Sequence, residues 1–198
     1  METDRTDKKW IVIRIDGKIA GVSTDYRILA RISEHLTTQA ARKPGQNILY
    51  GEISAVATDL DEVWRLRQEV RWEDLMLFGT DFQKKVWRKL WELVDSTRLV
   101  SYSDFAELCQ NRAGVRAVAH AIGLNPISVI IPCHLVIPKE GIDKIREIHN
   151  RAQATIFKGD DLCIGSILSG ASIDFGEYAL GKDLKRELII RELTEKSM

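Results

Sequence analysis

Residues 101–134 read SYSDFAELCQNRAGVRAVAHAIGLNPISVIIPCH, and the order of signals in this stretch decides the fold of the second half of the chain. Ser101 stands where a helix N-cap is wanted, its hydroxyl able to take one of the orphan amides of the first turn. The helix it opens runs to about Leu108. Gln110–Gly114 breaks the pattern, and a second helix, Val115–Leu124, stops at Asn125-Pro126, because the residue before a proline is pushed out of the helical region. Two short helices across a tight break have helix-turn-helix proportions. Ile127–Ile131 then reads as a short buried strand that delivers Pro132-Cys133-His134 at its end.

Charge sharpens the reading. From Leu108 to Lys139 there is no Asp or Glu, while Arg112, Arg116 and Lys139 remain. A surface facing phosphates needs such a stretch, although simple burial explains it equally well. Over all 198 residues, 29 Lys and Arg balance 29 Asp and Glu. That argues against a protein that coats nucleic acid through bulk charge, but leaves room for a local basic face. The three cysteines, Cys109, Cys133 and Cys163, include no CxxC pair, so neither a disulfide framework nor a zinc site of paired thiols is expected. The expected location is a reducing one, the cytoplasm. No run of about 18 apolar residues and no basic-then-apolar leader stands in the sequence, so no membrane partner is expected.

Upstream, Trp10–Asp16, a turn at Gly17, and Lys18–Thr24 read as a β-hairpin. Tyr26–Ala41 has apolar residues at helical spacing and ends at Lys43-Pro44-Gly45; Ile48–Ala57 reads as a strand; Asp59 caps a helix through Val70. His35 reads as an ordinary surface residue. Thr80 caps a helix over Asp81–Val94. Downstream, Ile142–Ala154 and Leu184–Leu193 carry helical patterns.

A cysteine fixed by a preceding proline and followed by histidine has the layout of a positioned nucleophile. The thiolate is the attacking form, and a neighbouring base is the usual means of making it near neutral pH. A buried structural Cys-His pair has the same appearance. Adjacent side chains diverge along a strand, so His134 is expected to reach Cys133 only through a water.

The segment Ile131-Pro132-Cys133-His134-Leu135-Val136 resembles the active-site motif of the methylated-DNA–protein-cysteine methyltransferases, the alkylguanine-DNA alkyltransferases. The resemblance extends from Gly79 without a gap. Gly79-Thr80-Asp81-Phe82-Gln83 with Val86-Trp87 is similar to the family's opening helix, Ser101-Tyr102 and Ala106 to the next, Arg116-Ala117-Val118 to its recognition helix, and Asn125-Pro126 to its hinge. It resumes at Gly176 with Tyr178, Gly181, Lys185, Leu188 and Glu192. Several short motifs in one fixed order are far more specific than any one alone.

The resemblance implies an α/β (α+β) fold. A small N-terminal sheet-plus-helix domain, 1–78, precedes a helical, winged-helix-like DNA-binding and catalytic domain, 79–198, with an insertion near 142–175. It implies a monomer that acts on double-stranded DNA containing alkylated guanine and moves the alkyl group from oxygen-6 to Cys133, once per molecule, without metal or cofactor. Because the target base lies inside a duplex, it must be flipped out. Arg116 would fill the place left in the stack, and Tyr102 would press on the flanking phosphate and bond the base. The main-chain carbonyls of Cys133 and Val136 would accept from its amine, with Ile122, Tyr178, Ala179 and Leu180 lining the pocket. Glu192 would orient His134, which acts through water on the thiol, and Asn125 would brace the hinge. The C-terminal helix must then fold back to bring Glu192 to His134. Three features depart from the family pattern: Leu135 where arginine is usual, Ala179-Leu180 in the lid, and the long stretch Ile142–Phe175. Two rival readings remain open here, a non-catalytic lesion-binding alkyltransferase-like protein and a helix-turn-helix transcriptional regulator.

Overall fold

The computed structural model describes residues 9–42, 52–94, 99–156 and 172–195. The chain divides into two compact units, residues 1–84 with 125–131, and residues 85–124 with 132–198.

The first unit is built on a three-stranded antiparallel sheet, β1 (Trp10–Ile15), β2 (Lys18–Ser23) and β3 (Ile53–Thr58), in the order β2-β1-β3. Asp16 and Gly17 both take positive φ, 50° and 77°, as a two-residue hairpin turn demands if its twist is to match the strands. Helix α1 (Arg27–Arg42) sets Ile28 and Ile32 onto Ile11, Ile13, Ile15 and Ala20. Gly21 permits that close approach, since a Cβ there would lie 3.0 Å from Ile13 Cδ1 and 3.1 Å from Ile32 Cδ1. His35 is half-buried, its ring 5.3 Å from that of Phe78, so it is not the plain surface residue expected. Helix α2 (Leu60–Glu69) is capped by Asp59, whose carboxylate accepts from Glu62 N at 2.8 Å. Residues 48–51 of the expected strand 48–57 lie outside the described residues.

The outer edge of β2 is covered. Met76 N donates to Ile19 O, Val22 N to Pro126 O, and Ser128 N to Val22 O. An otherwise open strand edge thereby gains partners. The expected strand Ile127–Ile131 is not regular: only single bridges form, Val22↔Ile127 and Ser128↔Ile131. The reason is a tight turn. Ile130 N donates to Ser128 O at 2.9 Å, and Val129 between them sits at φ 71°. A β-branched residue in that region costs on the order of 1–3 kcal/mol and persists only where its surroundings dictate it.

In the second unit, β4 (Val100–Ser101) pairs in parallel with β5 (Val136–Ile137), a pairing with no signal in so short a run. Helix α3 (Asp81–Trp91) opens with a reciprocal cap, Thr80 Oγ1 accepting from Gln83 N and Gln83 Oε1 accepting from Thr80 N. The buried indole of Trp87 donates to Ala121 O at 2.8 Å, which fixes α3 against α5 (Val115–Gly123). Helix α4 (Tyr102–Leu108) is capped by Ser101, whose hydroxyl accepts from Asp104 N. It ends in a left-handed residue, Gln110 at φ 57°, with Asn111 N bonding back to Ala106 O and Gln110 N to Glu107 O. This closing motif satisfies two orphan carbonyls. At Gly114 in the break, a Cβ would stand 2.4 Å from the Asn111 side chain, which would have to swing away.

Two long helices complete the unit. The helix expected at Ile142–Ala154 is α6, Lys139–Ile156; Cys163 lies outside the described residues. The C-terminal helix α7, Lys182–Glu195, buries Leu184, Lys185, Leu188, Ile189 and Glu192. Among the described residues, no helix is long and apolar enough to cross a membrane.

Candidate active site

Cys133 is held in a 3-10 turn, Cys133–Leu135, rather than at the end of a strand. Pro132 fixes the entry, Leu135 N donates to Pro132 O, and Val136 N donates to Cys133 O. The turn is tighter than a strand, so Cys133 and His134 project from a curled backbone instead of alternating across a sheet. All three residues of the turn are buried.

His134 Nε2 lies 2.9 Å from Glu192 Oε1, with 0% of the imidazole and 3% of the carboxylate exposed. Fifty-eight positions of sequence are closed by α7, which presents Lys185, Leu188 and Glu192 on one face at i, i+3 and i+7. A buried carboxylate next to an imidazole fixes its tautomer and favours its protonated form. Leaving either partner alone would cost about 3–5 kcal/mol. Cys133 Sγ donates to the Tyr178 hydroxyl at 3.6 Å.

Lys185, a residue without an assigned role in the sequence reading, has three oxygen acceptors around its ammonium. Only 1% exposed, its ammonium donates to Val136 O at 2.9 Å, to Glu177 O at 3.3 Å and to the Tyr102 hydroxyl at 3.5 Å, and it lies over the Tyr102 ring. Burial pulls its pKa down to about 8, against the opposing pull of Cys133, Asp174 and Glu177. Burial likewise raises the Tyr102 phenol, assisted by the negative charges of Cys133, Glu177 and Asp174. The signal available in sequence was positional: a lysine on the same helical face as Leu188 and Glu192. The carbonyls of Cys133 and Val136 already accept one bond each, from Val136 N and Lys185 Nζ, and each oxygen keeps a second lone pair.

Around the helix-turn-helix, Arg112 and Arg116 are exposed and one turn apart, with exposed Ala113, Ala117 and His120 beside them, while Val118, Ala121 and Ile122 are buried. An apolar inner face and a basic outer face lined with small residues can approach a phosphate backbone closely. In the segment ahead of α7, Gly176 and Gly181 take φ 78° and 103°. Tyr178 and Leu180 between them are half-buried, and Ala179 is exposed. Asn125 belongs to the first unit. Its Nδ2 donates to Ile131 O at 2.9 Å and its Oδ1 accepts from Ile127 N at 3.0 Å, which ties both ends of the strained turn together.

Residues 81–156 match the family model described as 6-O-methylguanine DNA methyltransferase, DNA binding domain. The match covers less than half of the chain. Within it lie Tyr102, Arg116, Ile122, Asn125, Cys133, His134 and Val136; Tyr178 and Glu192 lie beyond it. A probable methylated-DNA–protein-cysteine methyltransferase of Acanthamoeba polyphaga mimivirus is 51% identical over 67 residues, which is 33% of this chain and 44% of that protein. The inducible methylated-DNA–protein-cysteine methyltransferase of Bacillus subtilis is 48% identical over 63 residues, 32% of this chain and 35% of that one. The matches therefore span less than half the length of these relatives. The crystal structure of O6-methylguanine-DNA methyltransferase from Pyrococcus kodakaraensis KOD1 covers 93% of this chain and 91% of its own, at 21% identity and a TM-score of 0.51. At that identity the likeness speaks for the fold, a small sheet with helices followed by a helical part.

Proposed function

We propose that this protein repairs DNA by moving a methyl or larger alkyl group from oxygen-6 of guanine onto its own Cys133. The observation that carries the reading is the buried Glu192–His134 pair at 2.9 Å, set beside a buried cysteine inside the matched DNA-binding segment. A regulator that only bound DNA would leave that pair without a purpose, and a lesion-binding protein without chemistry would leave Cys133 without one.

His134, its basicity supported by Glu192, draws the proton from Cys133 through a water, and the thiolate attacks the alkyl carbon. The carbon–oxygen bond breaks and its electron pair stays on the guanine, whose negative charge is met by the Tyr102 hydroxyl beside Lys185. A thioether has no leaving group that water could displace, so each molecule reacts once. Arg116 enters the stack in place of the extruded base, and the exposed face of α5 lies in the minor groove. Ile122, Tyr178, Ala179 and Leu180 line the base pocket, and the carbonyls of Cys133 and Val136 select guanine through its amine. Asn125 braces the turn before Pro132.

In this reading residues 1–78 form an N-terminal α/β domain and 79–198 the catalytic and DNA-binding domain, interrupted near 142–175. The protein works as a monomer on double-stranded DNA in the cytoplasm, without metal or cofactor. The test is stoichiometry. With duplex carrying a radiolabelled methyl on guanine oxygen-6, label should move to protein in acid-stable form and saturate at one per molecule. Label that leaves DNA without reaching protein, or that turns over repeatedly, overturns the reading.

A further inference from the structure

Helix α7 is buried on more than one side. Lys185, Leu188 and Glu192 form one face. Ile189 and, half-buried, Ile190 and Leu193 form the next, where Arg186 also lies over the Phe175 ring. A helix with one side in water needs a single apolar stripe, so the second face must be covered by something. The cover comes from the long stretch that departs from the family pattern. Ile142, Ile145 and Ile148, three residues apart on α6, pack against a cluster formed by Ile137, Ile173, Phe175 and Ile189. The two ends of this excursion are pressed together. A Cβ on Gly141 would lie 2.6 Å from Asp174 O, and one on Gly176, at φ 78°, 2.9 Å from the Pro138 ring. The excursion thus leaves and returns at one place, and α6 packs on the cluster to which Ile189, on the helix that carries Glu192, belongs.

We propose that α6 is a buttress that sets the reactivity of Cys133, with Ile142, Ile145 and Ile148 as positioning residues that keep Glu192 against His134. This deepens the alkyl-transfer reading and rests on it for its biological meaning. Ile189 stands one helical turn before Glu192. Emptying part of the cluster that Ile189 belongs to lets α7 shift, and a shift of about an ångström is enough to lose a hydrogen bond that starts at 2.9 Å. An imidazole without its carboxylate is a weaker base, so the thiol ionises at higher pH. The other titratable groups of the site, Tyr178, Tyr102 and Lys185 with Asp174 and Glu177 at the lid, belong to α4, the lid and α7. The α6 isoleucines are removed without altering any of them.

The test reads the pH profile of Cys133 alkylation by iodoacetamide, resolved by peptide so that Cys109 and Cys163 are counted apart. Ile145→Ala with Ile148→Ala should move the midpoint up by about one unit, a roughly tenfold slower reaction at neutral pH. Ile145→Val with Ile148→Val should restore most of it. Glu192→Gln should give the same shift alone, and adding the alanines to it should shift nothing further. Should the double alanine variant fail to fold, Ile148→Ala alone is read in the same way. An unchanged midpoint in a folded alanine variant, or full additivity with Glu192→Gln, overturns the buttress. If the shifts appear while wild-type protein takes no methyl from methylated duplex, the positioning stands and the repair reading fails.

Discussion

Arg116 offers a way to separate binding from chemistry. The side chain opens α5 and is exposed, and extruding a base costs a few kcal/mol that a free base does not require. Arg116→Ala should therefore slow repair of alkylated duplex by about ten- to a hundredfold and leave reaction with free alkylated guanine nearly unchanged. Equal slowing of both, measured side by side, would make Arg116 a residue of the fold or the pocket instead. Lys185 gives a different kind of handle. Its pKa falls from an ordinary 10.5 to about 8 on folding, so between these values the unfolded chain binds the extra proton, and stability rises with pH. The gain is absent below about 8 and complete above about 10.5, with a ceiling of roughly 3 kcal/mol. Urea unfolding from pH 7.5 to 10.5 should show wild type gaining on Lys185→Met by up to that amount; parallel curves would mean that Lys185 titrates normally.

At the scale of elements, the break between α4 and α5 shows how far local signals reach. Ser101, Thr80 and Asp59 were readable as caps because a side-chain oxygen three residues before a free amide is a local event, and each makes that bond. The break itself was legible as a break, but not its form. Gln110 holds a left-handed position that glycine would fill without strain. Gln110→Gly should therefore stabilise the protein by roughly 0.5–1 kcal/mol, the relief of that strain less the freedom glycine adds to the unfolded chain. A lower urea midpoint in that variant would show that the Gln110 side chain makes contacts worth more than the strain. The run Ile127–Ile131 misled for a related reason. Apolar β-branched residues write the same pattern whether they pair in a ladder or are buried in a tight turn, and the Asn125 side chain, not the periodicity, dictates the turn here. The pair β4 and β5 is two residues long on each side, too short for any periodicity to declare.

For the whole molecule, the chemistry was legible where it is local and illegible where it depends on distant packing. Pro132-Cys133-His134 has the layout of a positioned nucleophile by adjacency alone, a layout that a structural Cys-His pair shares. Glu192 carries no such signal 58 residues away, and only its face on α7, shared with Leu188 and Lys185, makes a route back visible. The packing of α6 on the cluster that holds Ile189 was not readable at all, because a stripe of isoleucines says that a face is covered and not by what. The two-unit division belongs to the same class: residues 125–131 join the N-terminal sheet edge through bonds to Val22 that no local pattern encodes. The central claim, that Cys133 is the acceptor, is tested most directly by peptide-resolved mass spectrometry after incubation with methylated duplex. One methyl should appear on the peptide containing Cys133, in no more than one copy per molecule, and Cys133→Ser should bind the duplex but gain nothing. A methyl on Cys109 or Cys163, or repair of the duplex that continues in Cys133→Ser at the wild-type rate, would contradict the account.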